Sequence, residues 1–146
     1  MQVEIKIDKT CKETKVIVVS DKMSEEVTRL VKKLSDTMPQ VILGFYEDSA
    51  EIINQAEIYR AYASQGKVYA QTEKKTYTVK QRLYELEEKL DQAQFVRISN
   101  SEMINLNKVK NFDLSFSGTI CVALTNGTVT YVSRRYVTKI KEVLGI

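Results

Sequence analysis

The 146 residues include no histidine. That absence removes the commonest general base, the Ser-His and Cys-His nucleophile pairs, and every zinc site that uses imidazole. Cysteine is nearly absent too: Cys11 and Cys121 stand 110 positions apart, without the close spacing of a metal or redox motif. Both are expected to be reduced and buried, as in a cytosolic protein. The five glycines are scattered, and no GxxxxGK[ST], GxGxxG, GxSxG or HExxH occurs, so no phosphate-cradling loop or nucleophile turn is indicated. No apolar run approaches the roughly 18 residues needed to cross a bilayer. The N-terminus, Met1 to Asp8, alternates apolar and charged residues where a secretory signal needs an unbroken apolar stretch. Enzyme, cofactor and metal readings thus have nothing to stand on, and a soluble cytoplasmic protein is expected.

What is present is an ordinary globular composition, 43% hydrophobic and 28% charged, at a length that suits one domain with an appended piece. Net charge is only +3, but it is unevenly spread. Residues 92–146 carry seven basic and three acidic side chains, whereas residues 1–91 carry fifteen and sixteen. The basic last third suggests an anionic partner.

Hydrophobic periodicity divides the chain. Val3, Ile5 and Ile7 alternate, and Val16-Ile17-Val18-Val19 is β-branched, which predicts two strands before residue 20. Val27, Leu30, Val31 and Leu34 then form one stripe of a helix, capped by Ser24, with Glu25 and Glu26 at its positive end and Lys32 and Lys33 at the other. The only proline, Pro39, should stop it by residue 38. Residues 1–40 therefore read as a small ββα unit. In residues 41–146, strands are expected at 41–43, 57–62, 67–70 and 76–79. Leu83, Leu86 and Leu90 line a second helix whose outer face carries an i,i+4 pair, Glu85 and Lys89, and the solvated Glu87 and Glu88. Strands at 95–98 and 103–106 follow. Asn126-Gly127 signals a type I′ hairpin, with Ile120, Val122 and Leu124 on one strand face and Val129 and Tyr131 continuing it. Ser133 opens a last helix with Val137, Ile140 and Leu144 inward, ending at Gly145. About ten strands and three helices define an α+β class dominated by antiparallel sheet.

Two segments carry polar residues that a core does not need. Arg97-Ile98-Ser99-Asn100-Ser101 places an arginine, two hydroxyls and an amide between apolar strands. Ser133-Arg134-Arg135 puts two cations in the first turn of a helix, where the macrodipole disfavours them by about 0.3–1 kcal/mol each. A DNA phosphate or a guanine edge would account for that cost. Turn chemistry at Asn100, and arginines that simply point into solvent, are the plainer readings. Lys67, beside Gly66, is either a turn lysine or a ligand contact.

The blocks Leu83-Tyr84-Glu85-Leu86-Glu87-Glu88-Lys89-Leu90, Phe95 to Ser101, Ile104-Asn105-Leu106-Asn107-Lys108-Val109, Leu124-Thr125-Asn126-Gly127 and Val132-Ser133-Arg134-Arg135-Tyr136 resemble the LytTR DNA-binding domain in order and spacing. The resemblance covers about residues 41–146. It implies antiparallel β-sheets with flanking helices that present loops and a helix start, not a recognition helix, to successive major grooves of double-stranded DNA. Carried onto this chain, it implies base contacts from Lys67, Asn100 and Arg135. Backbone contacts are expected from Arg97, Ser99, Ser101, Arg134 and Lys139. In one departure, a histidine frequent in the family is Ser99 here. Residues 1–40 are too short for the receiver domain that often precedes such domains. The chain thus resembles short, receiverless regulators controlled by a partner, in some cases a membrane protein, and the N-terminal unit is expected to serve regulation or homodimerisation. The competing reading is a protein-interaction module that docks an acidic partner on its basic C-terminal face.

Overall fold

A computed structural model describes residues 1–36 and 41–146, and the chain divides into two units, residues 1–37 and 38–146. In the first, α1 (Glu25–Asp36) forms where the apolar stripe predicts it. Ser24 caps it: its Oγ accepts the Val27 N–H at 3.3 Å and its carbonyl accepts the Thr28 N–H at 3.0 Å. Pro39 lies outside the described residues. The two expected strands are a correction, because residues 3–7 and 16–19 adopt no strand. Val3, Ile5, Ile7 and Val19 are each more than 80% exposed. A β-favouring segment without a neighbouring strand leaves its own N–H and C=O groups unpaired, and two short segments alone are at best marginal. Cys11 is likewise exposed rather than buried, and Cys121 is half-buried. Among the described residues no helix is long and apolar enough to cross a membrane.

The second unit contains β1 (Val41–Tyr46), β2 (Ser49–Asn54), β3 (Ile58–Ser64), β4 (Lys67–Thr72), β5 (Thr76–Val79), α2 (Leu83–Lys89), β6 (Phe95–Ser99), β7 (Glu102–Asn105), β8 (Val109–Asp113), β9 (Ile120–Leu124), β10 (Val129–Val132) and α3 (Arg134–Leu144). Seven strands form an antiparallel sheet in the order β2-β1-β5-β4-β3-β7-β6, and three form a second sheet in the order β10-β9-β8. Two strands, β2 and β8, were not anticipated. Ser49–Asn54 and Val109–Asp113 mix polar and apolar residues without clean alternation, because each lies at a sheet edge with one flank in solvent.

Alternate residues of the central strands face opposite ways and so build two cores. Ile42, Ile53, Ala61, Ala70, Phe95 and Met103 pack on one face with Leu83, Leu86 and Leu90 around α2. Tyr59, Val96, Ile98 and Ile104 pack on the other with Ile120, Val122, Leu124 and Val132 of the small sheet and Ile140 of α3. The buried Asn105 ties strand ends together: its Nδ2 donates to the Ile58 carbonyl at 2.9 Å and its Oδ1 accepts the Asn107 N–H at 3.0 Å.

The hairpin turns reverse the expected assignment. Gln65 and Gly66 both have positive φ, 52° and 78°, and Ser64 pairs with Lys67, so the type I′ turn is the one between β3 and β4. At Asn126-Gly127 only Gly127 has positive φ, 90°. The Leu124 N–H bonds the Thr128 carbonyl at 2.8 Å, which makes a three-residue loop. That extra residue shifts the register by one: Val122 faces Thr130 and Ile120 faces Val132. A one-residue shift sends every side chain of a strand to the opposite face. Thr130 and Val132 are therefore buried, and Val129 and Tyr131 are exposed, contrary to expectation. Val132→Ala should accordingly cost about 2 kcal/mol of stability by leaving a cavity. Val129→Thr should stay within about 0.5 kcal/mol, the range of surface changes. Urea unfolding of both variants checks this, and the reverse ranking would restore the two-residue turn.

Candidate nucleic-acid interface

The loop between β6 and β7 is held by Arg97. Its Nη1 donates to Glu87 Oε2 of α2 at 2.9 Å, its Nε to the Ser99 carbonyl at 3.0 Å, and its Nη2 to the Asn100 carbonyl at 2.6 Å. Its side chain is only 12% exposed. Arginine suits this position because one rigid fork can bind a carboxylate and two carbonyls at once. Glu87, expected to be solvated, is thus a structural acceptor. Glu85 likewise turns from Lys89 to accept the Arg82 N–H at 3.1 Å, capping α2. The pairing of β6 with β7 is also irregular between Arg97 and Ser99, a bulge that re-aims the loop. Ser99 and Ser101 close it locally, the Ser101 N–H bonding Ser99 Oγ at 3.2 Å.

The exposed Asn100 at the tip reaches α3, where the Tyr136 hydroxyl donates to its Oδ1 at 3.0 Å. Tyr136 lies within the quoted sequence blocks, yet residue type alone assigned it no role, since a half-exposed tyrosine on a helix is usually packing. The Ser133 N–H bonds the Ile98 carbonyl at 2.8 Å and fixes where α3 begins. Ser133 occupies the N-cap position, but its side chain makes no capping bond. Arg134 and Arg135 are the first two helical residues, as expected, and both are exposed. The guanidinium of Arg134 lies over Gly118, where an added Cβ would come within 3.4 Å of its Nε. Lys139, one turn further along α3, is exposed as well.

Lys67 follows the type I′ turn and is exposed. It lines, with Arg97 and Asn100, a concavity of about 720 Å³. The fold therefore brings Lys67 to the Asn100 loop, and Tyr136 joins that loop to the helix turn bearing Arg135. Among the described residues no group of three His, Cys, Asp or Glu side chains could hold a metal.

A β scaffold that gathers exposed cations and an amide on loops and a helix start describes a class of nucleic-acid-facing domain. Residues 48–145 match the family model of the LytTr DNA-binding domain, and the chain belongs to that family. An uncharacterized HTH-type transcriptional regulator of Staphylococcus aureus (strain NCTC 8325 / PS 47) is 31% identical over 100% of this chain and 99% of its own length. Another, from S. aureus (strain MSSA476), is 32% identical over 92% of this chain and 91% of its own. A solved LytTr DNA-binding domain from Bacillus cereus superposes with a TM-score of 0.72 at 25% identity, over 75% of this chain and all of its own. In the chain described here α2 and α3 are separated by five strands, so the site is not built on two consecutive helices.

The Arg97 strut gives a stability test. Arg97→Lys keeps the charge but cannot serve three acceptors in one plane, and should cost about 1.5–3 kcal/mol, the worth of a charge-assisted hydrogen bond. Urea unfolding together with amide exchange at residues 99–101 measures it. Unchanged stability and protection would mean that the fork does not hold the loop.

Proposed function

We infer that this protein is a sequence-specific, double-stranded-DNA-binding transcriptional regulator, reading major grooves through loops and a helix start and performing no catalytic step. The observation that carries the reading is the Tyr136–Asn100 hydrogen bond, which couples the β6–β7 loop to the turn of α3 that carries Arg135. Asn100 Oδ1 has two lone pairs, so it accepts from Tyr136 and can still accept from an adenine N6 amino group while Nδ2 donates to N7. Arg135 has no ion-pair partner among the described residues and offers the bidentate fork that guanine O6 and N7 require. Lys67 is assigned to a third base. Arg134, Lys139, Ser99 and Ser101 are assigned to the sugar-phosphate backbone, and Arg97, whose charge Glu87 already meets, to holding the loop in place of the backbone contact the resemblance implies. The acidic-partner module is not favoured, because membership of the LytTr family accounts for the same basic surface.

Asn100→Ala should weaken binding to the cognate duplex by about 1–3 kcal/mol and leave random-sequence affinity nearly unchanged. Tyr136→Phe should give a smaller loss of the same selective kind. Arg135→Glu should leave thermal stability unchanged or raise it by a few tenths of a kcal/mol, because it places an anion at the positive end of α3, while DNA binding collapses. In vitro selection of duplexes with the wild type supplies the cognate sequence for fluorescence anisotropy. If the thermal midpoint and affinity fall in parallel in Arg135→Glu, the arginine is structural and the assignment is wrong.

The first unit is assigned to self-association and to regulation in the cytoplasm, a membrane-protein regulator being one form such control takes. Support comes from the apolar face of α1, where Val31 is 42% exposed, and from the exposed Val3, Ile5 and Ile7. Pairing two sites on one duplex multiplies affinity through effective concentration. Sedimentation velocity at tens of micromolar should show a dimer for the full chain and a monomer for Leu30→Glu with Val31→Glu. A monomeric wild type would remove the homodimer from the reading.

A further inference from the structure

The concavity beside Lys67 and Asn100 has two further cations on its wall, neither of them among the expected contacts: Lys80 and Arg82, in the link between β5 and α2. Among the described residues no acidic side chain lines it. Four cations do, and only one is neutralised: Arg97 spends its charge on Glu87 at 2.9 Å. Lys67, Lys80 and Arg82 have no ion-pair partner among the described residues, and all three are exposed. A solvated helix end ordinarily interleaves charges of both signs. Here α2 carries Glu85, Glu87 and Glu88, yet Glu85 is turned to the backbone of Arg82 and Glu87 to Arg97. Those bonds draw the nearby carboxylates into structural duty and leave the hollow positive. The ammonium of Lys80 also lies 5.2 Å from the centre of the Phe45 ring, an interaction that orders a lysine without cancelling its charge.

We propose that Lys80 and Arg82 form a phosphate-binding wall that grips the DNA strand bordering the groove entered by Asn100 and Lys67. The proposal rests on the reading of those two residues as facing DNA. A side chain in a major groove, about 12 Å wide, is flanked by phosphates on both sides. A concave surface carrying the two uncompensated cations Lys80 and Arg82 next to the groove-entering Lys67 and Asn100 is suited to meet one of those strands. Such contacts fix register and add affinity without reading sequence.

Each neutralised phosphate contributes about −0.9 to the slope of log K against log salt. The test is fluorescence anisotropy of the full chain with a selected duplex and with a random duplex across a salt series. Wild type is compared with Arg82→Gln, Lys80→Gln, the double variant, and Lys89→Gln as a charge-matched control at the far end of α2. The double variant should flatten the slope by about 2 and weaken selected and random duplexes by the same factor. Each single variant should give about half of the slope change, with Lys89→Gln close to wild type. Arg82→Gln alone keeps the test intact should loss of the Lys80–Phe45 contact disturb folding. A wild-type slope in the double variant overturns the wall, as does an equal drop in Lys89→Gln, which would mark a general charge effect. Loss confined to the selected duplex overturns it by making these residues base readers. A wild type with no salt-dependent duplex affinity removes the functional reading itself, and the wall with it.

Discussion

A half-buried ion pair within the large sheet organises the polar bonds that join it to the small one. Arg60 of β3 donates through Nη1 to Glu102 Oε2 of β7 at 3.1 Å and through Nε to Gln71 Oε1 of β4 at 2.6 Å. The other oxygen of Glu102 accepts the Thr130 hydroxyl of β10 at 2.8 Å, and Gln71 Nε2 reaches Thr128 Oγ1 at 3.4 Å. Arg60 and Glu102 are 21% and 13% exposed, so desolvation offsets much of their attraction and the pair adds little net stability. Its effect is geometric, because a polar network in a low-dielectric junction is satisfied in only one arrangement. Apolar contacts between the sheets could tolerate small slides, whereas a linked set of four hydrogen bonds, two of which cross from β4 and β7 to the β9–β10 hairpin, cannot. Since β10 runs directly into α3, the network also sets where Arg135 stands relative to Lys67.

The same division between holding and reading recurs within the interface. Arg97 and Arg135 are both arginines in segments singled out by their polarity, but the first is nearly enclosed and triply bonded while the second is exposed and has no ion-pair partner among the described residues. A loop that enters a groove without a helix behind it must be stiffened by something else, or ordering it on DNA would cost binding free energy. Arg97, the bulge between Arg97 and Ser99, and the Ser99–Ser101 turn supply such stiffness in the free protein. Tyr136 then orients the amide of Asn100 from the side of α3.

What could be read in the sequence follows from which forces are local. The leucine stripe of α2, the β-branched cores of β3, β4, β6 and β9, and the Gly145 end of α3 were all legible, because periodicity and glycine conformation act within a few residues. The edge strands β2 and β8 were not, since their hydrogen bonds come from distant partners and their composition follows solvent exposure. The N-terminal segments show the converse: β propensity at residues 3–7 and 16–19 is real, but propensity without a partner makes no sheet. The register of β10 failed for a subtler reason. Asn-Gly marks a hairpin reliably, yet whether two or three residues form the loop depends on the buried polar network, which places Thr130 against Glu102 and so requires the register that also buries Val132. At the interface, residue types singled out the 97–101 run and the Arg134–Arg135 pair, whereas the particular role expected of Asn100 follows from the family resemblance. The roles of Glu87 and Tyr136 depend on contacts between elements far apart in sequence and stayed invisible, as did the positive wall at Lys80 and Arg82.

The places where local rules are broken coincide with the proposed reading surface. Helix α3 begins without a side-chain cap, and it carries arginines at the end of its dipole that repels them. Each is a small cost that a chain selected only for stability would shed, since a capping bond or an acidic residue at position 134 or 135 would offset it. By contrast α1 keeps the rules, with its Ser24 cap and Glu25 and Glu26 behind it, whereas α2 opens on Arg82, another cation at a positive helix end, with Glu85 closing the first turn. Free amides and cations together at one helix start are what an incoming phosphate or base edge would satisfy, so the cost disappears only in a complex. The contrast with α1 ties the functional reading to energetics as well as to resemblance.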